Sequence, residues 1–152
     1  MTQILFINAL LLAGYMTIWW AIAYRRKRID TVDIAWGGGF VLVAWATLIQ
    51  APSFRSQLIA NIVTIWGIRL AYHIYSRHKG KGNDPRYTEL SSKWKGNFWL
   101  RAYVSIFLTQ GLLALIVSAP ITVASNEALP NLAWLSIVGT VIWSLGFIIE
   151  AT

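Results

Sequence analysis

The chain has 152 residues, of which 57% are hydrophobic and only 12% are charged, and its formal net charge is +7. Soluble domains carry about 25% charged residues, so this composition excludes an ordinary water-soluble domain and indicates that apolar surface faces lipid. The sequence has no cysteine, which excludes disulfides, thiolate metal sites and cysteine nucleophiles.

Five apolar stretches follow one another along the chain, each with about 17–22 residues, the length that a helix needs to cross a membrane. They occupy residues 4–24, 34–50, 58–75, 98–119 and 132–151. We therefore predict an all-α, multi-pass transmembrane bundle of about five helices, forming a single domain over residues 1–152. The first stretch is predicted to be a retained helix, because basic residues follow it, whereas they precede the apolar part of a signal peptide.

Basic residues mark alternate connections between these stretches. Twelve of the thirteen Lys and Arg residues, counting Arg69, lie in two connections or beside them. The first is the connection 25–33 before the second stretch, and the other is the polar loop 76–97. The positive-inside rule then places the N-terminus outside and the C-terminus in the cytoplasm, in a bacterial inner membrane. The same placement assigns the positive charge to topology and to membrane lipids rather than to nucleic acid. The connections 51–57 and 120–131 are predicted to be short outer loops.

The third stretch carries three basic side chains with helical spacing. Arg69, His73 and Arg77 follow one another at i, i+4 and i+8, so they share one helix face. Arg69 lies about 12 Å deeper than Arg77 at 1.5 Å per residue. This basic stripe predicts a site for a phosphate-bearing or otherwise anionic ligand. The alternative is that Arg69 snorkels and forms an internal ion pair with Asp33 or Glu150.

The second stretch opens with acidic residues and then three glycines. Asp30 or Thr31 is the predicted N-cap of its helix, whereas Asp33 shares a face with Gly37 and is a site candidate. Consecutive glycines at 37–39 weaken a helix and so predict close approach, either of another helix or of a ligand. The pattern is not G-x-G-x-x-G after a strand, which excludes a Rossmann site.

The polar loop and the fourth stretch supply the remaining candidates. Asp84, Arg86 and Tyr87 are predicted to form a compact polar turn, after glycines at 80 and 82 that also indicate turns; the alternative is a solvated basic loop. Gln110 falls near mid-membrane, where an amide commonly bonds across helices. His73 and His78 do not share a helix face well, and no metal site is predicted.

Together these residues resemble an ordered set of family motifs. In chain order the motifs are Asp33-x-x-Trp36-Gly37-x-Gly39-Phe40, Trp66-Gly67-x-Arg69-Leu70-x-x-His73-x-x-x-Arg77, Asp84-x-Arg86-Tyr87, Trp94, Phe107-x-x-Gln110-Gly111, Pro120 and Gly146-x-x-x-Glu150-Ala151. The order is similar to the N-terminal part of steroid 5α-reductase-like membrane proteins, in the bacterial branch known only as a domain of unknown function.

The resemblance implies an enzyme that uses NADPH to reduce a carbon–carbon double bond conjugated to a carbonyl, in a steroid-like or other lipid substrate. The residues it offers for cofactor or substrate binding are Asp33, Trp36, Gly37, Arg69, His73, Arg77, Asp84, Arg86, Tyr87, Gln110 and Glu150. The proton donor stays open among Tyr72, Tyr75, Tyr87 and Glu150. Two alternatives also stay open, an isoprenylcysteine-methyltransferase-like enzyme that uses S-adenosylmethionine and a small non-catalytic membrane protein.

One departure from the family changes what is expected of this chain. Family members continue into a segment like G-x-W-x-x-S-R-H-P-N-Y, which contributes to the cofactor site and does not occur here. We therefore expect the chain to be the N-terminal part of the family fold and to bind NADPH poorly alone. Exposed ion pairs contribute at most about 1 kcal/mol each, whereas micromolar binding requires about 8 kcal/mol.

Overall fold

A computed structural model describes residues 1–79, 84–92, 94–125 and 133–151. In these residues all regular structure is helical, in six helices. They are α1 (Thr2–Arg26), α2 (Thr31–Gln50), α3 (Phe54–His78), α4 (Pro85–Ser92), α5 (Phe98–Ala124) and α6 (Ala133–Ala151). Within α5, the segment Tyr103–Leu108 is a π-helix, and Ser118 separates the last helical segment from the rest.

Four of the helices, α1, α2, α3 and α5, are long and apolar enough to cross a membrane, and α6 is a shorter apolar helix. The protein is therefore an integral, multi-pass membrane protein. The predicted all-α bundle is confirmed, and all five predicted apolar stretches are helical wherever the structure describes them, except at Ser118.

Two of the predicted boundaries are wrong, and the predicted polar turn continues into a helix. The predicted turn at Asp84–Tyr87 is the first turn of α4, where the backbone N–H groups of Tyr87 and Thr88 both donate to Asp84 O, and proline suits the first helical position. The predicted loop after residue 119 begins too early, since α5 continues to Ala124 with Pro120 in the first turn of its last segment. Helix α3 begins early, at Phe54, because Ser53 and Ser56 form a capping box. Residues 80–83 and 126–132, also predicted as loop, lie outside the described ranges.

Asp30 is at the predicted N-cap position of α2, but its side chain does not make the hydrogen bond that an N-cap residue usually makes. It is instead 2% exposed and pairs with Arg28, with 2.5 Å between Nη2 and Oδ2. A guanidinium competes well for this carboxylate because both partners are charged.

Helix α2 lies at the centre of the bundle, between α1, α3 and α5. Its contact with α3 depends on two glycines, since a Cβ added at Gly67 would lie 2.6 Å from Gly37 O and 2.7 Å from Val41 Cγ2. On its other side the largest buried cluster joins residues of α1, α2 and α5, among them Met16, Val32 and Phe107. The backbones of α2 and α3 thus approach as closely as small residues allow.

Buried polar side chains join three helices at the end of the bundle where α2 ends and α3 begins. Asn8 Nδ2 donates to Thr47 Oγ1 at 3.0 Å and to Thr122 Oγ1 at 3.4 Å, and Gln50 Nε2 donates to Asn8 Oδ1 at 3.4 Å. Among the described residues every buried side-chain nitrogen and oxygen has a partner. This network therefore needs no ligand to explain it.

Helix α6 meets the rest of the protein near its C-terminal end. None of residues 134–150 is buried. Arg69 on α3 donates from Nη1 to Glu150 Oε1 at 2.6 Å and also to the Glu150 backbone carbonyl, and its guanidinium carbon lies 5.4 Å from the Phe147 ring centroid. Arg69 thus connects α3 to α6.

Candidate functional site

A cavity of about 700 Å³ opens at the basic end of the bundle, where α2 begins and α3 ends. Its walls come from four helices, α2, α3, α4 and α5. They include Asp33, Trp36, Leu70, Ile74, Arg77, His78, Asp84, Pro85, Arg86 and Gln110. The volume lies within the range of small-molecule sites. Six residues predicted from the sequence therefore line one cavity, although they are spread over 78 positions of the chain.

Asp33, in the first turn of α2, holds α4 through two hydrogen bonds. Tyr87 OH donates to Asp33 Oδ1 at 2.5 Å, and Arg86 Nη2 donates to Asp33 Oδ2 at 3.1 Å. Arg86 also pairs with Asp84, with 2.8 Å between Nη2 and Oδ2. Two carboxylates on different elements therefore share one guanidinium at the cavity wall.

The ionisation of the α4 residues follows from these contacts. Hydrogen bonds from Arg86 lower the pKa of Asp84 to about 2, so this carboxyl is charged at neutral pH. Burial raises the pKa of Tyr87, and its hydrogen bond to Asp33 raises it further. Tyr87 therefore remains a neutral phenol that donates its proton to a carboxylate acceptor.

Deeper in the cavity, α2 and α5 are joined by a neutral pair. Trp36 Nε1 donates to Gln110 Oε1 at 2.8 Å. Because an indole nitrogen only donates, this bond fixes which end of the Gln110 amide faces Trp36. The Gln110 –NH₂ group is then the donor that this side chain can offer to a ligand. The π-helical segment Tyr103–Leu108 ends two residues before Gln110, and such segments occur frequently beside functional sites.

The predicted basic stripe on α3 is divided between two places. Arg77 lines the cavity, whereas Arg69 pairs with Glu150, as the alternative prediction had it, and His73 is exposed. The cavity face of α3 is formed by Leu70, Ile74, Arg77 and His78, at i, i+4, i+7 and i+8. This face is displaced by about one residue from the predicted face, which corresponds to a rotation of about 100° around the helix axis.

Gly37 lies in the contact between α2 and α3, where an added Cβ would overlap the Gly67 carbonyl oxygen. Of the two causes that the sequence left open for the glycine run, helix packing is the one that the structure shows at this position. The neighbouring Gly38 has a similar cause, because an added Cβ there would overlap the hydroxyl of Tyr15.

His78 is a cavity residue that the sequence argument set aside. Its Nδ1 lies 2.8 Å from Ile74 O, and its Nε2 lies 3.9 Å from an oxygen of each of Asp30 and Asp84. The sequence argument compared the position of His78 only with that of His73, five residues away. The helical spacing of His78 from Leu70 and Ile74, at i−8 and i−4, would have placed it on the cavity face.

The donor atoms of Asp33, His78 and Asp84 lie within 4.8 Å of one another, a spacing that metal sites also use. In this protein Arg86 already bonds both carboxylates and supplies the positive charge. The absence of a metal site stays a prediction.

Comparison with known proteins gives one match. The model of a protein family described as "protein of unknown function (DUF1295)" matches residues 19–152. No curated protein and no solved structure matches significantly. The coarse part of the sequence prediction, a membrane-protein family of unknown function, is confirmed over most of the chain.

Proposed function

The chain belongs to the DUF1295 family, and from this premise we propose that it functions as part of an NADPH-dependent membrane reductase. Its proposed substrate is a lipid with a conjugated carbon–carbon double bond. The cavity at the basic end is the proposed binding site. The motif order that resembles steroid 5α-reductase-like proteins supports the reaction class. The basic residues around the cavity support a cytoplasmic orientation for that end, the side from which NADPH is supplied.

The observation that carries the proposal is the combination of charged and neutral donors in one cavity. Arg77 and Arg86 lie on its wall together with the Trp36–Gln110 pair. Guanidinium groups suit the phosphates of a dinucleotide, whereas a fixed amide donor suits a carbonyl oxygen. The wall also includes Leu70 and Ile74, apolar side chains that limit the water around a reacting group.

The proposed roles follow from the charge that such a reduction creates. When bound, NADPH supplies a hydride to the β-carbon of the conjugated system. Negative charge then develops on the carbonyl oxygen, where a donor held in place stabilises the transition state. Gln110 is oriented for this role by Trp36. Proton delivery to the α-carbon completes the reduction, and its donor stays open among Tyr72, Tyr75, Tyr87 and Glu150.

The test uses the complete protein encoded by the gene, purified in detergent. We expect NADPH to bind with a change in its fluorescence, and Arg77→Gln to weaken binding by roughly 10- to 100-fold, the effect of losing one charged hydrogen bond. Arg26→Gln is the matched control, because Arg26 is an exposed arginine at the same end and outside the cavity.

The second arm follows turnover of a lipid enone. Gln110→Leu is expected to lower kcat by about 10²- to 10³-fold, the usual effect of removing one donor to a developing oxyanion. Binding of S-adenosylmethionine in place of NADPH would contradict the proposal and favour the methyltransferase alternative. Equal NADPH affinity in the Arg77 and Arg26 variants would show that the cofactor does not use this cavity.

A further inference from the structure

Helix α4 forms the outer part of the cavity wall. It contributes Arg86 to the wall, and Asp84 and Pro85 at its start line the same space. A second cavity, of about 140 Å³, lies between α4 and the entrance of α2 and is lined by Asp30, Tyr87 and Trp99, among others. The remaining walls of the large cavity belong to helices α2, α3 and α5. An eight-residue helix that is not itself a membrane span therefore forms part of the wall where the cavity opens.

The attachment of α4 to the spans is sparse and polar. Of its described side chains, those of Pro85, Arg86, Thr88, Glu89 and Ser92 are exposed, and only Tyr87 is partly buried. The Tyr87 ring packs against the core cluster of α1, α2 and α5, and its hydroxyl reaches Asp33. Tyr87 and Arg86 both donate to the one carboxylate of Asp33 on α2.

A helix of eight mostly polar residues does not hold its position by its own stability. Isolated helices shorter than about 12 residues are marginal in water, so α4 depends on contacts with the spans. A segment with few buried apolar contacts and exposed polar bonds belongs to the part of a protein that opens locally most easily. Opening α4 requires, among other changes, that the two bonds to Asp33 break, that the Tyr87 ring leave the core and that Asp84 move away from His78.

We infer that α4 is a movable cover over the large cavity and that Asp33 is the latch that keeps it closed. Asp33 accepts from Tyr87 and Arg86 at once, so losing this one carboxylate releases both attachments. The inference concerns access to the cavity and does not depend on which ligand the cavity binds. Its test therefore needs no ligand and can fail independently of the proposed reaction.

The chain offers a direct assay because it contains no cysteine. A Leu70→Cys substitution places a single thiol in this 152-residue chain, on the cavity wall, and the rate of its reaction with a water-soluble maleimide reports how often the cavity is open. Arg26→Cys gives an exposed reference thiol at the same end of the bundle. We expect Leu70→Cys to react at least tenfold more slowly than Arg26→Cys.

The latch is then removed without changing side-chain volume. Tyr87→Phe and Asp33→Asn are each expected to speed labelling of Leu70→Cys about tenfold, as the loss of one charge-assisted hydrogen bond implies, and to leave Arg26→Cys unchanged. Tyr103→Phe is the matched control, because the Tyr103 hydroxyl shares a 2.9 Å hydrogen bond with Thr17 Oγ1, away from α4. It is expected to leave the labelling rate unchanged.

Three results would overturn the inference. The first is rapid labelling of Leu70→Cys with the latch intact, which would show that the cavity is not covered. The second is no acceleration by Tyr87→Phe in a protein that elutes and unfolds normally; this variant decides the question if Asp33→Asn does not fold. The third is equal acceleration by Tyr103→Phe, which would mean general loosening rather than release of α4.

Discussion

Replacing Gly37 by alanine tests the contact that positions α2 against α3, two of the helices that form the cavity wall. The added Cβ would overlap the Gly67 carbonyl oxygen and lie 3.1 Å from Gly67 C and 3.2 Å from Ala71 N. These are backbone atoms, so no side-chain rotation relieves the overlap, and α2 and α3 must move apart. Overpacking of this kind costs about 1–3 kcal/mol, whereas alanine gains up to about 1 kcal/mol in helix propensity. We expect a net loss of about 1–2 kcal/mol in the free energy of unfolding.

The assay is thermal unfolding of purified protein in detergent, with Gly14→Ala as the control. Gly14 is also inside a long helix, yet an added Cβ there meets no atom within 4 Å, so this variant is expected to be neutral or slightly stabilised. Gly67→Ala should resemble Gly37→Ala, because its Cβ faces the same contact from the other side. If Gly37→Ala unfolds at the same temperature as Gly14→Ala, the α2–α3 packing described above is wrong.

Two further predictions concern pH and orientation. The pKa of Asp84 is lowered from 3.8 to about 2 by Arg86, so the stability it adds is complete above about pH 4 and is lost as pH falls towards 2; the difference in unfolding temperature between wild type and Asp84→Asn should shrink over that interval and stay constant above it. A single cysteine at Lys95, in the basic loop, should be labelled by a membrane-impermeant maleimide only in inside-out vesicles, and labelling in right-side-out vesicles would invert the topology.

The membrane spans could be predicted because length and composition determine them locally. A run of about 20 apolar residues is sufficient evidence for a spanning helix, whatever its neighbours are. Helix α4 lacked such a signal, since its eight residues are mostly polar and begin with a proline. Helix α4 is held in place by hydrogen bonds from Tyr87 and Arg86 to Asp33, which lies more than 50 positions earlier in the chain. Contacts of that kind do not leave a periodic pattern in the sequence.

The candidate site was predicted in its residue types and only partly in its arrangement. Asp33, Arg77 and Gln110 were chosen as candidates because an ionisable or amide group in or beside an apolar stretch is costly and needs a polar surrounding, and all three line one cavity. The face of α3 was misassigned because i, i+4, i+8 spacing defines a stripe without saying which neighbour that stripe meets. Whether a stripe meets a cavity or another helix depends on how α3 is rotated about its axis, and the Gly37–Gly67 contact sets that rotation.

A loss of ligand binding therefore has a different meaning when Arg69 is mutated than when Arg77 is mutated. Arg69 lies two turns into the apolar part of the helix, where an unpaired charge is strongly disfavoured, and Glu150 of α6 satisfies it at 2.6 Å. Because none of residues 134–150 is buried, this pair and the adjacent Phe147 ring are important in positioning α6 against α3. Loss of ligand binding on Arg69→Ala would thus follow from displacement of α6 even if the ligand never touches Arg69. Arg77 is free of this ambiguity, since it lies on the cavity wall, and its substitution is the informative one.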